Sequence, residues 1–302
     1  MAIVVFGSIN MDLVARVPRL PSPGETLTGH SSFTAPGGKG ANQAVACARL
    51  GAATRLIGRL GDDAFGVMLR ESLAGYGVDT SGVAIQPGVP SGVAVITVDD
   101  AAENEIIVVP GANGVVGRED LVRLEAALDG ARVLLLQLEV PLDAVVAAAE
   151  MGRRRGVTVI LDPAPAQPLP ETLYAAVAIL TPNESEAAAL VGFPLDDPDA
   201  IVRASQTLLG RGARSVIVKL GSKGVFWNNG RESAYFPAFP VAAVDSVGAG
   251  DAFNGGLAVG LSAGLDTASA IRWGLAAGAL SVTKSGAQPS MPDRAAVAGL
   301  LG

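Results

Sequence analysis

The chain has 302 residues, 49% hydrophobic and 17% charged, with a formal net charge of −7, one cysteine and one histidine. That length and apolar share allow a large core, while the acidic balance, whose longest basic run is Arg153 to Arg155, argues against a nucleic-acid partner. Cys47 and His30 are too few for an internal disulfide or an ordinary zinc cluster.

In chain order, residues 3–6 read as a strand, for the run is too short and lacks the basic flank of a secretory leader. Residues 12–17 and 25–33 read as a pair of strands, and 41–50 as a helix that carries Cys47 as a core thiol. A strand at 55–57 and a helix at 64–76 follow, then strands at 92–98 and 105–109 around a turn at 99–102. From there strands at 133–136, 158–161, 179–180 and 215–218 alternate with helices at 143–154, whose end the Arg153 to Arg155 triplet solvates, and at 201–211, before a last helix at 267–283.

This alternation is that of an α/β chain with a doubly wound, mostly parallel central sheet and helices on both faces. The two interruptions, about 12–35 and 91–110, read as a small antiparallel β lid over the carboxyl edge, where open sheets bind ligands. No linker or repeat divides the chain, so residues 1–302 read as one domain. Glycine, proline or charge breaks every apolar run well before the ~20 residues of a membrane helix, so the expectation is a cytoplasmic protein with no membrane partner.

Two glycine-rich segments carry chemistry. In Asp245-Ser246-Val247-Gly248-Ala249-Gly250-Asp251, Gly248 and Gly250 let the backbone approach a ligand, and free amides at the helix start bind anions. The segment lacks the Gly-Lys-Ser/Thr ending of a Walker loop, and Phe253 replaces the third glycine of a dinucleotide fingerprint. Asp251 in a first helical turn satisfies the macrodipole, yet a carboxylate beside an anion cradle repels the ligand unless it has a proton to accept. The second segment, Gly37-Gly38-Lys39-Gly40-Ala41-Asn42-Gln43, reads either as an ordinary loop and helix start or as fixed donors and acceptors for a polyhydroxylated ligand. Asn10 and Asp12, just past the first strand, project toward the same crevice.

With these residues the sequence resembles the ribokinase-like carbohydrate and adenosine kinases, from Gly7-Ser8-Ile9-Asn10 to Gly286-Ala287-Gln288-Pro289-Ser290. The resemblance implies ATP-dependent phosphorylation of D-ribose at the 5-hydroxyl. The alternatives are 2-deoxyribose, another pentose, a ketose or a nucleoside as acceptor, and, from a different class, a sugar sensor without turnover. It also implies a sugar site of Asn10, Asp12, Gly38, Lys39, Asn42, Glu139 and Asp251, with Asp251 as base and Gly248, Ala249 and Gly250 as the anion hole. Glu139, at a strand end, would be a costly buried charge without a partner.

By the same resemblance Asn183 and Glu186 place Mg²⁺ and the phosphates, Glu186 through water, while Lys219, Gly221, Ser222, Gly224 and Gly250 meet the nucleotide. Leu275 stands near the adenine, where a relative can place histidine. A potassium ion is implied at Asp245, Val247, Val282, Ser285, Ala287 and Ser290, and a homodimer through the lid.

Overall fold

The computed structural model describes residues 2–101 and 103–302. The chain opens with β1 (Ala2–Phe6), β2 (Asn10–Arg16) and β3 (Ser31–Gly37), then α1 (Lys39–Arg49), β4 (Ala53–Gly61), α2 (Ala64–Gly75), β5 (Asp79–Gln86), β6 (Gly92–Val98) and β7 (Asn104–Val109). It continues with α3 (Arg118–Ala127), β8 (Ala131–Leu136), α4 (Leu142–Arg154), β9 (Thr158–Leu161), α5 (Glu171–Ala176), β10 (Ile179–Leu180), α6 (Glu184–Val191), α7 (Pro198–Gly210) and β11 (Val216–Lys219). The last elements are β12 (Val225–Asn228), β13 (Ser233–Phe236), α8 (Ala249–Ser262), α9 (Thr267–Ser281) and α10 (Arg294–Leu301).

Nine strands form the central sheet in the order β13-β12-β11-β10-β9-β8-β1-β4-β5. Pairing is parallel from β11 through to β5 and antiparallel only at β11-β12 and β12-β13. Side chains alternate across a strand, so β1 feeds Ile3 and Val5 into one core layer with α1, α8 and α9, and Val4 and Phe6 into a second with α3, α4 and α7. After β1 the chain winds outward through β4 and β5 and returns to β8 on the other side, which makes the carboxyl ends of β1 and β8 a topological switch point where a crevice opens.

The smaller sheet runs β3-β2-β6-β7. Each hairpin is antiparallel, as expected, but the two hairpins join by a parallel β2-β6 pair. Its second strand covers residues 31–37 in place of the expected 25–33. The register pairs Arg16 with Ser31, and extending it backward would need ladder donors beyond Arg16, where Pro18 has no N–H. Of the expected turn at 99–102, residue 102 lies outside the described residues. Arg153 and Arg154 end α4, and Arg155 pairs with Glu125 and Asp129. Cys47 is fully buried.

Candidate active site

Five strand ends of the central sheet deliver polar groups to one edge. Gly7 and Ser8 follow β1, Gln137 and Glu139 follow β8, Asp162 follows β9, Asn183 lies just past β10, and Lys219 closes β11. From the smaller sheet come Asn10 and Asp12 on β2, while β3 runs through Gly38 straight into α1. Gly38 has φ of +89°, and a Cβ there would stand 2.7 Å from the Asn10 amide nitrogen, so only glycine lets the two segments touch.

A cavity of about 560 Å³ is lined by Lys39, Asp162, Asn183, Glu186, Lys219 and the segment Gly248 to Asp251, among others. It joins a second of about 490 Å³, bounded by Gly221, Ser222, Gly224, Phe239, Phe253 and Leu275; Lys219, Ala249 and Gly250 border both. The first is rich in charge and the second largely apolar, as a phosphate chain and a base would require.

Helix α8 begins at the junction. Its N-cap, Gly248, has φ of +76° and no side-chain cap, so the first amides point outward without intrahelical acceptors. Ala249 N donates to Ser246 O at 3.2 Å, an engagement that the sequence did not foretell. The Asp251 carboxylate, 6% exposed, lines the cavity and is held at both oxygens: Asn42 Nδ2 donates to Oδ2 at 3.0 Å and Gln43 Nε2 to Oδ1 at 3.1 Å. Burial pushes its pKa up to about 6, with Asp162 adding to the rise and Lys39, Asn42 and Gln43 opposing it.

The sugar-site residues expected from sequence come together around Lys39. Glu139 accepts from the Lys39 amide at 3.0 Å and from Ser8 Oγ at 2.5 Å. Burial opposes charge on the Lys39 ammonium, but Asp251, Asp162, Glu139 and Glu186 outweigh it and raise its pKa above the ordinary lysine value. Asp12 packs against Gly37, where a Cβ would lie 2.2 Å from Oδ2; burial, then Glu139 and Asp251, push its pKa up to about 7. Asn10 Oδ1 accepts from Asn113 Nδ2 at 2.7 Å.

At the rim of the charged cavity, Asn183 and Glu186 form the reciprocal N-terminal cap of α6, each side chain accepting the other's backbone N–H. That cap alone would explain the motif, yet both residues border the charged cavity, and burial raises the Glu186 pKa despite Lys219. Among the described residues no group of three or more acidic, histidine or cysteine side chains stands close enough to cage a metal. Asp245 ties its own loop to the next: Oδ1 accepts from Val247 N at 3.0 Å and Oδ2 from Gly286 N at 2.8 Å. Val282 O accepts from Val244 and Asp245, and Ser290 Oγ donates to Ala287 O, so the expected cation ligands, Ser285 included, lie on two abutting loops.

Sequence reading missed Asp162, Ser8, Asn113 and Gln137, all buried polar residues, and it took the Gln43 carboxamide as a ligand contact where the structure turns it to Asp162 and Asp251. Asp162 had a signal, an acid directly after the apolar run Val159-Ile160-Leu161. The others are polar positions in apolar surroundings whose partners lie far along the chain.

Against known proteins, the chain matches the pfkB family carbohydrate kinases over residues 2–294. It is 42% identical over 292 residues to a ribokinase of Haemophilus influenzae, covering 97% of this chain and 95% of that one. It is 38% identical to a deoxyribokinase of Salmonella typhi, covering 97% and 96%. The solved ribokinase of Arabidopsis thaliana complexed with ribose and ATP superposes with a TM-score of 0.92 at 37% identity, covering 99% and 98%. Because that likeness spans both sheets, both cavities and the start of α8, this chain is a member of the pfkB family of carbohydrate kinases.

Proposed function

We propose that the chain transfers the γ-phosphoryl group of ATP to the 5-hydroxyl of D-ribose, giving D-ribose 5-phosphate and ADP. The observation that carries this is the shared address of Asp251 and the start of α8: one cavity holds a fixed, buried carboxylate and the outward amides of a helix. Asn10, Asp12, Lys39, Asn42 and Glu139 supply the acceptors and donors that sugar hydroxyls need. The acceptor oxygen forms its bond to the γ-phosphorus as the bond to the bridging oxygen of ADP breaks, and its proton passes to Asp251. Amides at Gly248 to Gly250 meet the developing charge on the transferred group; Ala249 joins them by giving up Ser246 O. ATP lies across the second cavity, over Gly221, Ser222, Gly224 and Leu275, with Lys219 at its phosphates.

Mg²⁺ would be held by the phosphates and by Glu186 through water, because among the described residues the side chains alone form no cage for it; it would neutralise phosphate charge. For a potassium ion the support is Asp245 rather than Val282, whose carbonyl already accepts from Val244 and Asp245. Asp245 spends one lone pair of each oxygen on a backbone N–H and keeps acceptor capacity beside the carbonyls of the 282–290 loop. Residues 1–302 act as one domain with the smaller sheet as its lid, in the cytoplasm. A row of apolar side chains, Phe33, Val14, Ile96 and Ile106, crosses all four strands of that sheet, with Phe33 and Ile106 about half exposed; a second copy of the chain would cover it.

The relative named as a deoxyribokinase makes 2-deoxyribose the competing acceptor. One experiment addresses base and acceptor together: transfer from ATP to ribose and to 2-deoxyribose by the native chain and by Asp251→Asn. Turnover should fall by about 10³ in the variant with ribose binding intact, and kcat/KM should favour ribose. A variant with native turnover removes Asp251 from the reaction; a preference for 2-deoxyribose replaces the substrate and leaves the chemistry.

A further inference from the structure

Gln43 opens the second turn of α1, wholly buried. Its Nε2 donates both to Asp251 Oδ1 and to Asp162 Oδ2, each at 3.1 Å. Ionised carboxylates only accept, so these two contacts fix which end of the carboxamide is the nitrogen. The oxygen end then accepts from Gln137 Nε2 at 2.7 Å. Gln137 is itself wholly buried and lodged where a Cβ on Gly7 would come within 2.0 Å of its Oε1. On the far side, Asp162 Oδ1 accepts from Lys219 Nζ at 2.7 Å, and that ammonium lies 3.3 Å from where a Cβ on Gly250 would stand.

We propose that Gln43 is a positioning residue for the Asp251 carboxylate, locked in its orientation by Gln137 and joined through Asp162 to Lys219 on the nucleotide side. The inference rests on the reading of Asp251 as base. A carboxylate on a short side chain has a rotation to lose, and a base turned away from the acceptor hydroxyl costs rate while leaving sugar contacts made by other residues alone. Asn42 holds one oxygen of Asp251 and Gln43 the other, so the plane of the carboxylate is set only when both are present.

The charged and titratable groups acting on Asp251 are Lys39 on α1 and Asp162 after β9, and Asp12 on β2 feels Asp251 in turn. Burial and Asp162 disfavour the ionised form, and the Gln43 hydrogen bond favours it. Loss of the bond therefore moves the Asp251 titration upward. A glutamine that merely filled the core would change stability and leave that titration in place.

The test is the pH profile of kcat on ribose for the native chain, Gln43→Met, Gln137→Leu and Asp251→Asn, with ribose binding measured by calorimetry for each. Gln43→Met should lower kcat about tenfold, leave the ribose KM within about threefold, and move the acid limb up by about half a pH unit. Gln137→Leu, which touches neither carboxylate, should act in the same direction more weakly, and it decides the matter if Gln43→Met no longer binds ribose. Native kcat and an unmoved acid limb in variants that bind ribose would overturn the positioning role. If Asp251→Asn is inactive while the glutamine variants behave like the native chain, only this inference falls; if Asp251→Asn turns over normally, the base assignment falls and takes it along.

Discussion

Asp12 shows most directly how the site is held against the preference of the fold. Glu139 and Asp251 act on it across a buried setting that by itself disfavours charge, and the pKa rises from 3.8 to about 7. The folded chain thus keeps a proton on Asp12 between about pH 4 and 7 that the unfolded chain has released. Stability falls as pH rises through that window and is lowest above it, where the carboxylate is ionised. Asp251, with its pKa near 6, acts in the same sense. Replacing Asp12 by Asn should accordingly raise the Tm of the ligand-free chain at pH 8 by a few degrees, with a smaller gain at pH 5 and a weaker ribose affinity at both. Thermal melts at the two pH values check this, and an equal gain at both would put the cause elsewhere. A stabilising loss of function is what a site under electrostatic strain predicts.

At the scale of elements, the start of α8 depends on Gly248. Its φ of +76° suits glycine, and a Cβ would stand 3.1 Å from Ala287 Cα, on the loop that carries the expected cation ligands. Gly248→Ala should cost about 1–2 kcal/mol in backbone strain and lower kcat more than tenfold by pushing the cradle off that loop. Calorimetric melts and turnover at saturating ribose measure the two effects, and unchanged turnover would remove the cradle from the reaction. This segment was legible in the sequence because its glycines and Asp251 are neighbours along the chain. The parallel strands β1, β8, β9 and β10 were legible as unbroken apolar runs. β5 and β13 were not: β5 carries Asp79, Ser81 and Gly82, β13 alternates exposed and half-buried residues, and both are edges of the sheet, where burial imprints less pattern. The partners of Gln43, Asp162 and Gln137 escaped for another reason. Their bonds close over separations of 94 to 208 residues, and a polar residue in an apolar run reveals no partner until the strands are in register.

For the whole molecule the smaller sheet stands out, because it leaves apolar side chains exposed. Asp12 and Ala94 stand in one row of it and Val14 and Ile96 in the next on the same face, so the row that includes Phe33 and Ile106 continues outward from Asp12 and the proposed sugar site. β7 is exposed along its whole length, and a long apolar edge left open invites association. If a second copy closes that row, two lids brace each other and the sugar gains a firmer roof, which couples assembly to affinity through a shared surface. Ile106→Lys places a charge in the row without touching the cavities. Sedimentation should then show a monomer where the native chain sediments as a dimer, and the ribose KM should rise several-fold with kcat changed less, because the groups proposed to act on the phosphoryl group sit at the start of α8 and the end of β11, off the smaller sheet. A native chain that is monomeric at all concentrations would sink the assembly, and a dimer that survives Ile106→Lys would move the interface off this face.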